Sequence, residues 1–176
     1  MCIFGSKSSM RFGSKNIKFM FREIRKAERK LSIERIDEIL RNGEYGVLST
    51  TGENGYAYGI PLSYAYDNGC LYFHCAQVGQ KVDNITANPL VSFCIVGKTK
   101  VLPASFSTGY ESVVVFGRMI VELPDDEKRK CLRLLVGKYS PDFKPEGDAY
   151  IERAFAKTKV MKLQIEHMTG KGRILN

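Results

Sequence analysis

A stretch suited to anion binding and proton transfer lies at positions 72–85 of the sequence. There a predicted strand ends at His74, a turn follows at Gly79, and a predicted helix begins just before Lys81. The free N–H groups and the positive dipole end at a helix N-terminus favour a phosphate. A lysine in the first turn opposes that dipole, so Lys81 predicts a bound anion nearby, with a solvated surface lysine as the alternative.

His74 is one of two histidines in the chain and stands beside Cys75 at the strand end. An imidazole has an ordinary pKa near neutrality, so it can supply a proton to a reduced substrate. By strand alternation Cys70 and Tyr72 share its face, which favours an aromatic wall for a planar ligand. The alternative is a structural histidine that only hydrogen-bonds to a neighbouring strand end.

Pro61 interrupts the second predicted strand. Proline has no N–H, so its position favours an edge strand, a bulge or a bend. Backbone groups left unpaired near it would suit the pyrimidine edge of a flavin, which needs both donors and acceptors. An edge strand kinked by proline, without any ligand, is the alternative.

The elements that would position these residues follow from apolar periodicity and turn signals. The sequence predicts strands at 45–51, 56–66, 70–76, 90–96, 110–123 and 158–167, and helices at 33–42, 79–88, 124–138 and 147–155. Tight turns between the first three strands predict an antiparallel meander. Six strands with few, short helices favour a mainly β protein, a closed barrel with peripheral helices.

The fifth predicted strand has two features that bear on packing. Gly117 is a candidate for a bulge or a close backbone approach. Residues 113–116 are apolar at successive positions, so neither face of the strand is polar. A strand buried on both faces in so small a barrel predicts contact with a second subunit.

The formal charge of +8 is concentrated at the N-terminus, where residues 1–30 contain nine Lys or Arg and two Glu. Residues 1–24 are therefore predicted to be a basic flexible tail, either a solvated leader or an overextended reading frame, and residues 25–176 a single domain. A basic arm can bind nucleic acid or an anionic membrane, but the nearly neutral domain favours neither partner. Five cysteines without a C-x-x-C pair indicate thiols in a reducing, cytoplasmic compartment and no metal site.

Four blocks of the sequence occur in a characteristic order. They are YGVLST at 45–50, GIPLSY at 59–64, LYFHCA at 71–76 and GQKVDNI at 79–85 followed by Asn88-Pro89. The chain thereby resembles the pyridoxamine 5′-phosphate oxidase-like flavin-binding split barrels, and within them most nearly the 5-nitroimidazole-resistance proteins. YESVVVFGR at 110–118 and IEHMTGK at 165–171 fit the same subfamily.

The resemblance implies a split β-barrel homodimer with two FMN molecules at the subunit interface, FAD being the alternative flavin. The backbone of Pro61 to Tyr64 would face the flavin ring, His74 and Cys75 would lie by the ring and ribityl chain, and Lys81 would bind the phosphate. Carried over in full, the flavin-binding residues are Pro61, Leu62, Ser63, Tyr64, His74, Cys75, Gln80, Lys81, Asn84 and, from the opposite subunit, Ser112.

The function implied by the resemblance is an FMN-dependent oxidoreductase that reduces a nitro group or another electron-poor small molecule, with His74 as the catalytic residue. A flavin carrier or sensor without turnover is the alternative, and nucleic-acid binding through the tail is a third. True pyridoxamine phosphate oxidases resemble one another in a C-terminal segment built around tryptophan and arginine. This chain has no tryptophan and ends in KGRILN, which argues against oxidation of vitamin B6. Haem-binding relatives use a C-terminal histidine, but His167 is predicted to be structural.

Overall fold

The computed structural model describes residues 21–173 of the chain. In this part of the chain seven strands form one sheet: β1 (Tyr45–Thr51), β2 (Ala57–Ser63), β3 (Ala65–Asp67), β4 (Cys70–Ala76), β5 (Leu90–Leu102), β6 (Ser107–Ile120) and β7 (Thr158–Arg173). The α-helices of the same part are α1 (Ile33–Asn42), α2 (Gln80–Ala87), α3 (Asp125–Tyr139) and α4 (Lys144–Ala154).

The strand order is β2-β1-β5-β6-β7-β4-β3, with antiparallel neighbours throughout. β2 and β3 lie at opposite edges of this order, although only Tyr64 separates them along the chain. The two edges must therefore meet at Tyr64, so the sheet rolls into a barrel. No ladder joins β2 to β3 within residues 21–173, so the barrel is split rather than closed. The predicted fold class, mainly β with a split barrel and peripheral helices, is confirmed.

The predictions of a continuous strand at 56–66 and of a three-stranded meander are wrong, because the chain changes its pairing partner at Tyr64. β2 pairs with β1, and β3 pairs with β4. The Tyr64 N–H donates to the Tyr139 hydroxyl at 2.9 Å, and that hydroxyl lies 2.9 Å from the Tyr64 carbonyl oxygen. The buried Tyr64 ring meets Phe93 edge-on at 5.1 Å. A hydroxyl from α3 thus replaces the ladder, and no local sequence pattern reports such a distant contact.

Apolar side chains fill the barrel interior and alternate along the strands with outward-facing ones. The largest fully buried side chains are Tyr64, Phe73, Phe93, Leu40, Leu48, Leu71, Ile85, Ile95, Met161, Leu163, Val113 and Val115. A second apolar cluster joins the outer face of β4 and β7 to α3 and α4 through Tyr72, Cys131, Leu132, Ile151 and Val160. β4 is therefore covered by the barrel core on one face and by helices on the other.

The ladder between β6 and β7 slips by one residue beside Gly117. The register shifts between Phe116 and Gly117, which leaves Glu166 of β7 as the extra residue. A Cβ at Gly117 would lie 2.0 Å from the Gln164 carbonyl oxygen, so only glycine fits. Both expectations for Gly117, a bulge and a close backbone approach, are confirmed.

Two strands, β5 and β7, are longer than the sequence predicts, and β6 lies three residues earlier, at Ser107–Ile120 instead of 110–123. β5 runs on to Leu102 and β6 begins at Ser107, so the two form a hairpin beyond the predicted ends at 96 and 110. β7 continues to Arg173 instead of ending at His167. Polar and glycine residues in these segments predicted loops. Backbone pairing continues through them because the ladder uses main-chain groups and does not require apolar side chains.

The N-terminal segment contacts the outer face of the barrel. The Phe21 ring stacks on His167, with centroids 4.4 Å apart and planes 4° apart, and lies 5.2 Å from the Phe116 ring. Phe21 therefore packs on the barrel, and the boundary between tail and domain at residue 25 stays a prediction. The rest of the predicted tail lies outside the described residues. Between residues 21 and 173, no helix combines the length and apolar character that crossing a membrane requires.

Candidate functional site

The split is the gap between β2 and residues 73–76 of β4. It is bordered by strand edges that have no ladder partner within residues 21–173. β4 pairs with β7 along its whole length but with β3 only at 70–72. β2 pairs with β1 on one side and is the edge of the sheet on the other. Both borders therefore present backbone donors and acceptors to the gap.

Chain connectivity brings β2 and the end of β4 together at the split. Ala65 pairs with Tyr72 in the β3–β4 ladder. If that register continued for two more residues, Ser63 would lie opposite His74. β2 instead turns away to pair with β1. The predicted ring-facing segment 61–64 and the predicted pair at 74–75 thus flank the same gap.

The phase of the β1–β2 ladder decides which groups of β2 face the split. The Gly52 N–H donates to the Tyr56 carbonyl oxygen at 3.2 Å, which marks a hydrogen-bonded pair. Because hydrogen-bonded and non-bonded pairs alternate, the backbone groups of Pro61 and Ser63 point away from β1. Proline there costs no ladder bond. The Ser63 N–H and the carbonyl groups of both residues face outward.

The four predicted ring-facing residues differ in what they offer to a ligand. Pro61 and Ser63 are exposed, whereas Leu62 points inward against the core. Tyr64 is buried, and Tyr139 already occupies its backbone N–H. Pro61 and Ser63 are therefore the better placed pair, and flavin contacts by Leu62 and Tyr64 stay predictions.

His74 and Cys75 lie on opposite faces of β4. Cys75 is half-buried against the barrel core, while His74 is exposed on the side of α3 and α4. His74 lines a cavity of about 150 Å³ together with apolar side chains of both helices. Partial burial among them lowers the pKa of His74, so the imidazole is mostly neutral at neutral pH. The cavity is smaller than the ~300 Å³ at which ligand pockets begin.

Lys81 lies in the first turn of α2, where the helix leaves a strained turn. The helix follows Gly79, whose φ of 137° and ψ of 163° are accessible essentially to glycine alone. The N–H groups of Val82 and Asp83 donate to the Gly79 carbonyl oxygen at 2.8 and 3.1 Å. The N–H groups of Gln80 and Lys81 come before the first hydrogen bond of the helix, so they are the groups that a ligand would use.

A second lysine joins Lys81 at the end of β4. Burial raises the pKa of the Cys75 thiol, and the charges of Lys81 and Lys159 oppose that rise. Lys159 is the ladder partner of Cys75 on β7. The Lys159 ammonium lies 3.3 Å from the Glu122 carboxylate, so its charge is already paired. Lys81 is therefore the cation at this strand end that has no ion pair within residues 21–173.

Gln80 and Asn84 line a different cavity, of about 430 Å³, between α2 and the β1–β2 turn. The carboxyl-bearing residues Glu53 and Asp83 line it as well. Asn84 is buried, and its amide nitrogen donates to the Thr50 hydroxyl at 3.0 Å. Two carboxylates disfavour a phosphate, so the Lys81 side of α2 suits one better. The assignments of Gln80 and Asn84 to the flavin site stay predictions.

Ser112 lies on the outer face of β6, where its hydroxyl is 3.5 Å from the Lys171 carbonyl oxygen. It lines neither the cavity of His74 nor that of Gln80. A role for Ser112 in the flavin site therefore needs the opposite subunit, as the resemblance implies. The same outer face carries an apolar cavity of about 740 Å³ with Phe21 and Phe116 in its wall.

Sequence reasoning missed Lys138 and Tyr139, which reach the split from the last turn of α3. The Lys138 ammonium donates to the Gly43 carbonyl oxygen at 2.7 Å and lies 3.9 Å from the centroid of the Tyr64 ring. Burial lowers the pKa of Lys138 to about 8. The only sequence signal was a lysine near a helix C-terminus, which is ordinary helix-dipole placement.

A family model described as pyridoxamine 5′-phosphate oxidase matches residues 32–172. The match spans the whole barrel and all four α-helices described above. It confirms the resemblance found in the sequence blocks. A search of the curated proteins finds no match.

Several solved structures share the fold. A "putative 5-nitroimidazole antibiotic resistance protein" from Bacteroides thetaiotaomicron has a TM-score of 0.66 at 24% identity, covering 80% of this chain and 84% of that one. A FAD-binding protein from Mesorhizobium loti has a TM-score of 0.56 at 26% identity, covering 83% and 98%. The FAD and heme binding protein from Mycobacterium smegmatis has a TM-score of 0.65 at 22% identity, covering 80% and 71%.

Proposed function

The chain belongs to the pyridoxamine 5′-phosphate oxidase family, and from this membership we propose that it is an FMN-dependent oxidoreductase acting on a nitro group or another electron-poor small molecule. The split in the barrel carries the proposal. It combines outward-facing backbone donors and acceptors with Lys81 and the N–H groups at the start of α2. A flavin needs both, since its ring carries polar edge atoms and its side chain ends in a phosphate.

The residues at the split fit the two ends of a flavin. The Ser63 N–H and the Pro61 carbonyl would meet the pyrimidine edge of the ring. Lys81 would meet the phosphate together with the N–H groups at the start of α2. A phosphate held by a lysine and helix N–H groups is a charge-assisted contact, which is about twice as strong as a neutral one.

Which flavin occupies the site is a separate choice. FMN is the proposed cofactor because the groups identified at the split account for one phosphate. The neighbour from Mesorhizobium loti is described as FAD-binding, so FAD is the alternative. The mass of the cofactor released from purified protein by denaturation decides between them.

The chain's own residues would bind, orient and protonate. The bound flavin would supply the redox chemistry by storing the electrons that the substrate receives. Pro61 and Ser63 would fix the ring, and Lys81 would fix the phosphate. His74 would hydrogen-bond the substrate and, in its protonated imidazolium form, deliver a proton as the substrate is reduced.

We propose further that the working unit is a homodimer. Val114 and Phe116 on the outer face of β6 are half-buried within one chain, and Val96 beside them on β5 is 57% exposed. Ser112 lies on the same outer face. A second chain against this face would cover the apolar residues and bring Ser112 to the partner's flavin.

The first experiment tests cofactor and turnover together. Purified full-length protein is expected to be yellow, with a flavin visible spectrum, and to oxidise a reduced nicotinamide in the presence of a nitroaromatic acceptor. A colourless protein that also fails to bind added FMN or FAD would overturn the proposal.

The second experiment tests the phosphate site. Lys81→Ala should weaken FMN binding by at least about tenfold, since a charge-assisted hydrogen bond contributes ~1.5–3 kcal/mol. Riboflavin, which has no phosphate, should bind the variant and the parent equally. Lys144→Ala on α4 removes a charge elsewhere and should leave both affinities unchanged. Equal FMN affinity in the parent and in Lys81→Ala would exclude Lys81 from the site.

A flavin carrier without turnover is the second candidate, and the small cavity at His74 favours it. A cavity of about 150 Å³ leaves little room for a substrate beside the imidazole. A carrier would be yellow and would exchange electrons with small dyes but would show no saturable reduction of nitro acceptors. Saturation kinetics would reject the carrier.

A further inference from the structure

A basic cleft lies away from the split, where the segment before α1 crosses the ends of β6 and β7. It has a volume of about 510 Å³. Its basic lining residues are Arg29, Lys30, Arg35, Lys98 and Arg173. The segment is held in place by a bridge between Lys30 and Lys171 and by the Leu31 N–H, which donates to the Gly170 carbonyl oxygen at 3.0 Å. The walls are therefore fixed by backbone bonds.

The carboxylates of the cleft leave every lining cation except Arg35 without an ion pair within residues 21–173. Glu111 is engaged by Arg35, whose Nε donates to it at 2.7 Å and whose Nη2 donates to its other oxygen. Glu28 is the other acidic residue in the lining. Within residues 21–173, no carboxylate forms an ion pair with Arg29, Lys30 or Arg173.

Tyr110 adds a polar group beside the cleft. Burial raises the pKa of its phenol, but hydrogen bonds from Lys171 and Arg29 outweigh that effect, and the net pKa is lowered. Arg29 of the lining and one further cation, Lys171, thus converge on one oxygen next to the cleft. Cations that repel one another in one place raise the free energy of the fold unless an anion lowers it.

We propose that this cleft binds a phosphorylated small molecule, one that carries at least two negative charges on a phosphate or diphosphate group. Arginine presents a planar fork of N–H donors that matches two phosphate oxygens, and a lysine adds a point charge. The volume lies within the ~300–1,000 Å³ range of small-molecule pockets. A cleft lined by one sign of charge also concentrates small anions. The proposal does not depend on flavin binding, since none of the cleft residues borders the split.

The test is calorimetric titration of the full chain with inorganic pyrophosphate at low salt. Arg29→Gln combined with Lys98→Gln should weaken binding by at least about tenfold, because two charge-assisted contacts are removed. Lys144→Gln combined with Arg153→Gln removes the same charge from α4 and should leave the affinity unchanged. Lys81→Ala should also leave it unchanged, which separates the cleft from the predicted flavin phosphate site. Near-ultraviolet circular dichroism checks that each variant is folded.

Three results would overturn the proposal. If the double variant on α4 weakens pyrophosphate binding as much as the Arg29 and Lys98 double variant does, the effect comes from diffuse charge and not from the cleft. Binding lost in Lys81→Ala would place the anion at the split. The third result is a parent that binds duplex DNA but not pyrophosphate, with the DNA binding weakened by Arg29→Gln combined with Lys98→Gln. It would show that the cleft serves a polyanion and not a small molecule.

Discussion

The inner and outer faces of β5 and β6 are built from similar residues but have different surroundings. Phe93, Ile95, Val113 and Val115 face inward and are fully buried. The outward-facing neighbours are also mostly apolar, yet they are only half-buried or exposed: Cys94, Val96, Val114 and Phe116. The inner face is fully covered by other side chains of the same chain. The outer face has a single aromatic cover, Phe21, within residues 21–173. Composition alone therefore does not tell a core face from an interface; the covering elements do.

Truncation of one phenylalanine on each face tests that difference most strongly. Phe93→Ala should lower the free energy of unfolding by ~3–5 kcal/mol, because a fully buried ring leaves a cavity. Phe116→Ala removes a half-buried ring and should cost about 1 kcal/mol at low protein concentration. Urea unfolding followed by circular dichroism measures both. Equal costs would mean that the outer face is a core in its own right.

A charge on the outer face tests whether a second chain covers it. Val114→Asp should shift the protein from dimer to monomer at micromolar concentration, a loss of at least ~10²-fold in association, because an unpaired charge would be buried. Ile33→Asp, at an exposed position on the first turn of α1, is the control and should remain a dimer. Light scattering reports the mass. A parent that is monomeric with flavin bound would refute the homodimer.

His74 extends the comparison to β4, whose outer face meets helices of the same chain. His74→Ala should retain flavin but lose ~10²-fold in turnover if the imidazole supplies a proton. Because partial burial lowers the pKa of His74 below 6.5, its titration should appear as an inflection of the rate on the acid side of neutrality. His74→Gln should lose that inflection, whereas His167→Gln, at the other histidine, should keep it. Full turnover with an unchanged pH profile in His74→Ala would leave His74 a structural residue.

The fold was predictable where the deciding signals are local. Ser32 caps α1 by accepting from the Arg35 N–H at 3.2 Å. The Asn68-Gly69 pair, with φ of 48° and 72°, makes the tight turn between β3 and β4. The change of partner at Tyr64 was not predictable, since it depends on a hydroxyl 75 residues away in sequence.

The candidate site was predictable in its residue types but not in its geometry. Adjacent residues such as His74 and Cys75 look like one cluster in a sequence, yet strand alternation sends them to opposite faces. Lys81 and Gln80 likewise separate, because the two sides of α2 meet different neighbours. The placement of Lys159 beside Cys75 depends on strand pairing at long range, which a single sequence does not contain.

The smallest expected effect concerns the polar contact between Arg35 of α1 and Glu111 of β6. Arg35 holds Glu111 with two hydrogen bonds, and the Glu111 side chain is only 16% exposed. The Arg35 hydrogen bonds lower the pKa of Glu111. A carboxyl whose folded pKa is lowered contributes stability above its unfolded pKa and loses it as the pH falls through the folded value.

A double-mutant cycle with Arg35→Gln and Glu111→Gln should therefore give a coupling of about 1 kcal/mol at neutral pH. The coupling should vanish on the acid side of the folded pKa, below the ordinary value of 4.5. Replacing Arg35 also removes its ion pair with Glu38, but it does so whether or not Glu111 is present, so the contribution of that pair cancels in the cycle. Phe93→Ala, on the apolar inner face, should cost the same at both pH values. A coupling that persists in acid would mean that the contact stabilises by shape and not by charge.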